Sequence, residues 1–147
     1  IKTPGHTDGS LCLLVNRKAL LTGDTLFLEV VGRPDLGRNK EDMEKGAKIL
    51  YSSLGKIKNL DKNLLVMPAH FTKAEKVPVY EQLNALLTNN QALKINSEEE
   101  FVNYVINNLP ITPQNYEQIK NINLNFMQLP RQMSEHLEFG PNRCASR

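Results

Sequence analysis

The chain opens with short, uninterrupted apolar runs. Leu11-Cys12-Leu13-Leu14-Val15 is followed by the polar turn Asn16-Arg17-Lys18 and then by Ala19-Leu20-Leu21, a pattern that predicts a hairpin. Thr22-Gly23-Asp24 breaks the second run, and Leu26 to Val31 resumes it as a further strand up to Gly32-Arg33-Pro34-Asp35. Runs without polar alternation predict strands covered on both faces. From Glu41 the period changes. Met43, Ala47, Leu50, Leu54 and Ile57 are spaced 4-3-4-3, which puts them on one face of a long amphipathic helix. Gly46 and Gly55 weaken that helix by about 1 kcal/mol each relative to Ala, too little to break so long a stripe. Leu64-Leu65-Val66-Met67 reads as a buried strand ending at Pro68-Ala69-His70, and Val79, Leu83, Leu86 and Leu87 share one face of a second helix. Ser97-Glu98-Glu99-Glu100 has the form of a capping box ahead of Phe101, Val102, Val105 and Ile106. Thr112-Pro113 predicts the start of a short helix through Tyr116 and Ile119, and the tail from Asn121 is irregular.

Strands alternating with helices indicate an α/β fold. At 147 residues the chain is one domain: strand-rich over 1–36, helix-strand-helix over 41–90, helical and irregular over 97–147. So few strands leave sheet edges open, which implies completion by another segment or by a second copy, as in a homodimer. With 40% apolar and 23% charged residues, the composition excludes wholesale disorder, collagen and coiled coil. A net charge of +2 without a basic block argues against nucleic acid and against an anionic membrane surface. The run Leu11 to Val15 is far short of the roughly 20 residues a helical membrane crossing needs. Two cysteines make no disulfide framework, so a reducing, cytoplasmic compartment is the simpler reading. The chain begins with Ile, and a chemistry-bearing residue stands already at position 6, which reads as a processed chain or a piece of a longer one.

Three side chains stand where ligands are expected. His6 follows the rigid turn Thr3-Pro4-Gly5, and His70 follows directly on the strand Leu64 to Met67. Asp24 stands just past a strand, after Gly23, whose missing side chain allows close backbone approach. Loops at the C-terminal ends of strands are where α/β folds collect their sites. Two imidazoles and a carboxylate suit Zn²⁺ or Fe²⁺. Each residue singly also has a bland reading, as a surface histidine or an ordinary Gly-Asp turn. Cys12, inside an apolar run, reads as a small core residue, and His136 as a solvated tail residue. Cys144 beside Arg143 could carry sulfane sulfur or stand idle in the tail.

The wording around these residues is more specific. Thr3-Pro4-Gly5-His6-Thr7-Asp8-Gly9-Ser10, Leu21-Thr22-Gly23-Asp24-Thr25-Leu26-Phe27, Gly32-Arg33-Pro34-Asp35-Leu36 and Pro68-Ala69-His70, in that order, resemble the metallo-β-lactamase superfamily. The resemblance is to the C-terminal half of its αβ/βα sandwich, in the glyoxalase II and persulfide dioxygenase branch. It implies that His6 is a metal ligand and that Asp24 is the carboxylate ligand. Asp24 would bridge two metals in a hydrolase or close a mononuclear Fe²⁺ site in a dioxygenase. It implies that His70 binds the second metal in a hydrolase and stays unligated in a dioxygenase. Arg33 would lie toward a thiol substrate, where its guanidinium suits a carboxylate. The family's His-x-His-x-Asp-His cluster is not among these residues, so two of the three iron ligands of a dioxygenase are present. Phe71-Thr72 departs from the pattern of glutathione-using members and leaves another low-molecular-weight thiol open. Gly140-Pro141-Asn142-Arg143-Cys144 resembles the end of bacterial members that are fused to or partnered with rhodanese domains, which implies a rhodanese partner. The expected activity is persulfide oxidation with Fe²⁺ and O₂. The alternatives are a Zn²⁺-dependent thioester hydrolase, or an inactive half-domain that folds by association.

Overall fold

The computed structural model describes residues 1–36, 39–70, 79–112 and 115–138. Positions 37–38, 71–78, 113–114 and 139–147 lie outside the described residues, and with them Pro113, Phe71-Thr72 and the Gly140–Cys144 run. The side chain of His136 lies outside them as well.

Two compact units divide the chain, the first covering Ile1–Leu109 and the second beginning at Pro110. In the first unit the hairpin forms as expected: β1 (Leu13–Val15) pairs antiparallel with β2 (Ala19–Gly23). Lys18 N–H closes its turn on the Val15 carbonyl at 2.9 Å, with Asn16 and Arg17 both at positive φ. That is the twist a tight hairpin needs. β2 then pairs in parallel with β3 (Leu65–Pro68), and β3 pairs antiparallel with β4 (Glu81–Gln82), giving the order β1-β2-β3-β4.

The parallel pair needs a long crossover, and α1 (Lys40–Lys58) provides it. Asn39 caps its N-terminus by accepting the Asp42 N–H at 2.9 Å, and Lys56 and Lys58 stand in its last turn, where the dipole favours cations. The stripe Ala47, Leu50, Leu54 and Ile57 is buried. It joins Leu20 and Val66 of the sheet, Leu83 and Leu86 of α2 (Leu83–Asn89), and Phe101 and Val105 of α4 (Glu98–Asn107) in one core. α3 (Gln91–Lys94) contributes Ala92 and Leu93. Ser97 accepts the Glu100 N–H at 3.4 Å, the forward bond of the expected capping box.

Three expectations are corrected here. β1 is exposed at every residue, and β2 buries Leu20 and Thr22 while exposing Leu21. Among the described residues the sheet is therefore packed on one face, and its β1 edge and second face stay apolar and open. Leu26 to Val31 is not a strand. It is a tight turn closed by the Leu26–Val31 bridge and by Phe27 N–H on the Val30 carbonyl at 3.0 Å. Buried Asn90 holds it, its Nδ2 donating to the carbonyls of Phe27 (3.3 Å) and Val30 (3.1 Å). The helix expected from Val79 begins at Leu83 instead, because Glu81 and Gln82 are drawn into the ladder with β3.

The second unit holds α5 (Tyr116–Leu124), preceded by Asn115, and α6 (Arg131–Glu138). The tail expected to be irregular from Asn121 is therefore helical to Leu124 and again from Arg131, where Met133 and Leu137 supply an apolar i, i+4 pair. No residue of α5 is buried, and a cleft lined by Ile119, Ile122, Met127, Leu129 and Leu137 runs along the unit. Among the described residues no helix is long and apolar enough to cross a membrane.

Candidate metal centre

His6 is presented by a loop tied down at both ends. Ile1 and Cys12 exchange backbone bonds of 2.8 and 2.9 Å, and Thr3 N–H donates to the Ser10 carbonyl at 3.0 Å. The loop lies directly on α1. Gly5, at φ +140°, sits so close that a Cβ there would stand 2.5 Å from the Leu50 Cα, and Ser53 Oγ donates to the Pro4 carbonyl at 2.7 Å. The Thr3-Pro4-Gly5 turn therefore has a packing role, because only glycine fits that contact and that φ.

Asp24 leaves the end of β2 through a turn in which Thr25 N–H donates to the Thr22 carbonyl at 3.0 Å and Gly23 takes φ +52°. The register Gly23↔Pro68 then sets the loop after β3 beside it, and Ala69 N–H closes on the Gly23 carbonyl at 3.1 Å. Adjacent parallel strands thus deliver Asp24 and His70 to the same end of the sheet.

The structure brings these three side chains together around one carboxylate. His70 Nδ1 lies 2.8 Å from Asp24 Oδ1, and His6 Nε2 lies 3.5 Å from Asp24 Oδ2. On its other side His6 Nδ1 is 2.8 Å from the Arg33 carbonyl oxygen. A carbonyl only accepts, so Nδ1 carries a hydrogen, and in the neutral ring Nε2 faces Asp24 with a lone pair. The carboxylate likewise only accepts, so His70 Nδ1 donates to it and its Nε2 is the bare nitrogen. His6 is almost fully buried, whereas His70 is 42% exposed. The three line an open cleft of about 360 Å³ with Thr7, Ser10, Gly23, Thr25 and Ala69.

The donor pair His6 Nε2 and Asp24 Oδ2 fits a metal ion. Two ligands on one ion with bonds of about 2.1 Å stand roughly 3.4 Å apart at a tetrahedral angle and roughly 3.0 Å apart at a right angle, so the 3.5 Å found here is within half an ångström of either. Two lone pairs facing each other at that distance also call for a cation or a proton between them. Among the described residues no group of three His, Cys, Asp or Glu side chains is disposed to hold a metal ion. His6 and Asp24 are two donors, and His70 is engaged on the other carboxylate oxygen.

Arg33 does not join them. It is fully buried, is absent from the cleft lining, and meets Asp35 bidentately, Nε to Oδ1 and Nη2 to Oδ2, both at 2.8 Å. A guanidinium cannot shed its proton, so burying it requires a paired anion, and Asp35 is that anion. Asp35 and Asn90 are the residues that sequence reasoning passed over. An arginine in an apolar stretch with an aspartate two positions on was the available signal for the first; nothing local marked the second. Cys12 is buried as expected, its Sγ 3.3 Å from Thr3 Oγ1, and burial pushes its thiol up from the ordinary range.

No protein-family model matches the chain. It superposes on a metallo-beta-lactamase from Staphylococcus aureus subsp. aureus COL with a TM-score of 0.77 and 30% identity, over 88% of this chain and 40% of that one. The chain has the metallo-β-lactamase fold. A second structure of this fold, ETHE1 from Myxococcus xanthus, aligns with a TM-score of 0.61 and 30% identity, over 75% of this chain and 44% of that one. In sequence the chain is similar to a probable polyketide biosynthesis zinc-dependent hydrolase of Bacillus velezensis, 37% identical over 106 residues, which are 71% of this chain and 42% of that protein. It is also 41% identical over 69 residues to a hydroxyacylglutathione hydrolase of Francisella philomiragia, 46% of this chain and 25% of that protein. The chain spans less than half the length of each of these metallo-β-lactamase-fold relatives.

Proposed function

We propose that the protein carrying this chain is a mononuclear metalloenzyme that oxidises a thiol persulfide to sulfite, RSSH + O₂ + H₂O → RSH + SO₃²⁻ + 2H⁺. The observation that carries the reading is the division of the Asp24 carboxylate. Oδ1 accepts a hydrogen bond from His70, and only Oδ2 faces His6. With Oδ1 engaged by the His70 imidazole, Oδ2 is the oxygen left facing His6, which is the single donor a one-ion site takes from its carboxylate.

His6 Nε2 and Asp24 Oδ2 would hold the ion, and a third protein ligand would complete the set. Iron(II), when bound, would supply positive charge and open positions for O₂ and sulfur. The Arg33 carbonyl keeps His6 in the tautomer whose Nε2 can ligate. His70, donating through Nδ1 to Asp24, lines the cleft, and in the neutral ring its Nε2 would be the base for the proton of an entering S–H group. The half-exposed position of His70 lets that proton pass on to water.

A second reading has its own support. The Bacillus velezensis relative is described as a zinc-dependent hydrolase, and glyoxalase II-type thioester cleavage with Zn²⁺ would use the same cleft. Oxygen uptake with glutathione persulfide, measured beside metal analysis on the protein carrying this chain in full, separates the two. Stoichiometric iron with oxygen consumption and sulfite release is the expected result. Stoichiometric zinc with thioester cleavage and no oxygen consumption overturns it.

A further inference from the structure

We propose that the buried Arg33–Asp35 pair is a positioning device for His6, acting through the Arg33 backbone carbonyl to fix which imidazole nitrogen carries the proton. Three constraints meet in this short segment. At its start Gly32 is wedged against the neighbouring loop: a Cβ there would lie 2.0 Å from the Asp24 carbonyl oxygen and 3.0 Å from the His6 Cβ. In its middle Pro34, itself buried, has a ring-fixed φ. Across it the Arg33 guanidinium reaches two residues on to grip both Asp35 oxygens at 2.8 Å, closing the backbone into a small ring.

Arg33 meets His6 through its backbone carbonyl, 2.8 Å from His6 Nδ1. A carbonyl held at that place stabilises only the tautomer with hydrogen on Nδ1, because the other tautomer would set two lone pairs against each other. The charge pair holds rigid the acceptor that keeps His6 Nε2 bare and aimed at Asp24. For the neutral ring the tautomer follows from the hydrogen-bond geometry, and only its consequence for metal affinity rests on the function proposed above.

The test uses ¹⁵N imidazole spectra of the metal-free protein and Co²⁺ titration of the same samples. Wild-type His6 is expected to be protonated at Nδ1. Asp35→Ala, or Asp35→Asn if alanine unfolds the chain, is expected to shift His6 toward Nε2–H and to weaken Co²⁺ binding about 10- to 100-fold. The backbone amide spectrum away from residues 32–35 is expected to stay unchanged. A merely structural salt bridge would lower stability without moving the tautomer, so an unaltered Nδ1–H signal in the folded variant overturns the proposal. A tautomer shift in a protein that binds no Co²⁺ would support the positioning role and count against the metalloenzyme reading instead.

Discussion

Replacing Gly32 by alanine strikes the contact at which the His6 and Asp24 loops touch. The added Cβ would stand 2.0 Å from the Asp24 carbonyl oxygen, 3.2 Å from its carbonyl carbon and 3.0 Å from the His6 Cβ. Ordinary C···O contacts begin near 3.3 Å, so one of these loops must retreat by about 1.3 Å. Two of the three neighbours are backbone atoms, and Gly32 is itself bonded to the Thr25 carbonyl at 3.3 Å, so no rotamer change relieves the clash. Overpacking of this kind costs about 1–3 kcal/mol. A retreat of that size also carries His6 Nε2 and Asp24 Oδ2 beyond the span of one ion's bonds, so Zn²⁺ or Co²⁺ affinity is expected to fall at least tenfold, about 1.4 kcal/mol. Urea denaturation and metal titration measure the two effects separately. Gly9→Ala is the control, since a Cβ there meets nothing within 4 Å. If Gly32→Ala matched Gly9→Ala in both assays, the close apposition of the two loops would be refuted.

Asn90→Ala removes the donor to the Phe27 and Val30 carbonyls and the acceptor for Ala92 N–H, and is expected to cost about 1–3 kcal/mol in urea denaturation. The raised Cys12 thiol, desolvated by burial, contributes stability that is fully present below its ordinary value of 9.0 and is lost as pH rises through the higher folded value. Alkaline denaturation should therefore be less steep in Cys12→Ala, and alkylation of Cys12 should require unfolding. The exposed apolar β1 edge should make the 147-residue chain associate in sedimentation velocity, and Leu14→Lys should return it toward monomer.

Where periodicity alone decides a structure, the sequence was readable. Ala47, Leu50, Leu54 and Ile57 are buried along α1 as their spacing requires, and Ser97 caps α4. The hairpin was readable because Asn16-Arg17-Lys18 has no apolar alternative. The Leu26 to Val31 turn was not, because the group that satisfies its carbonyls is Asn90, some 60 positions away. One-sided burial of the sheet was hidden too, since an apolar run looks the same whether or not anything covers it. At the site, strand-end placement accounts for Asp24 and His70, whose strands are parallel neighbours, whereas His6 comes from a loop packed on α1 and was legible only through the motif around it. Arg33 was read by its charge, whereas its environment is set by Asp35, and its backbone oxygen is what reaches His6.

The central claim is that His6 and Asp24 share one ion while His70 stays on the far carboxylate oxygen. A metal-loaded crystal of the protein carrying this chain, with data collected on either side of the metal absorption edge, tests it most directly. The account predicts a single anomalous peak about 2.0–2.2 Å from both His6 Nε2 and Asp24 Oδ2, with His70 Nδ1 still bonded to Oδ1. Two peaks roughly 3.5–4 Å apart with Asp24 bridging them, and His70 turned to ligate the second, would contradict it.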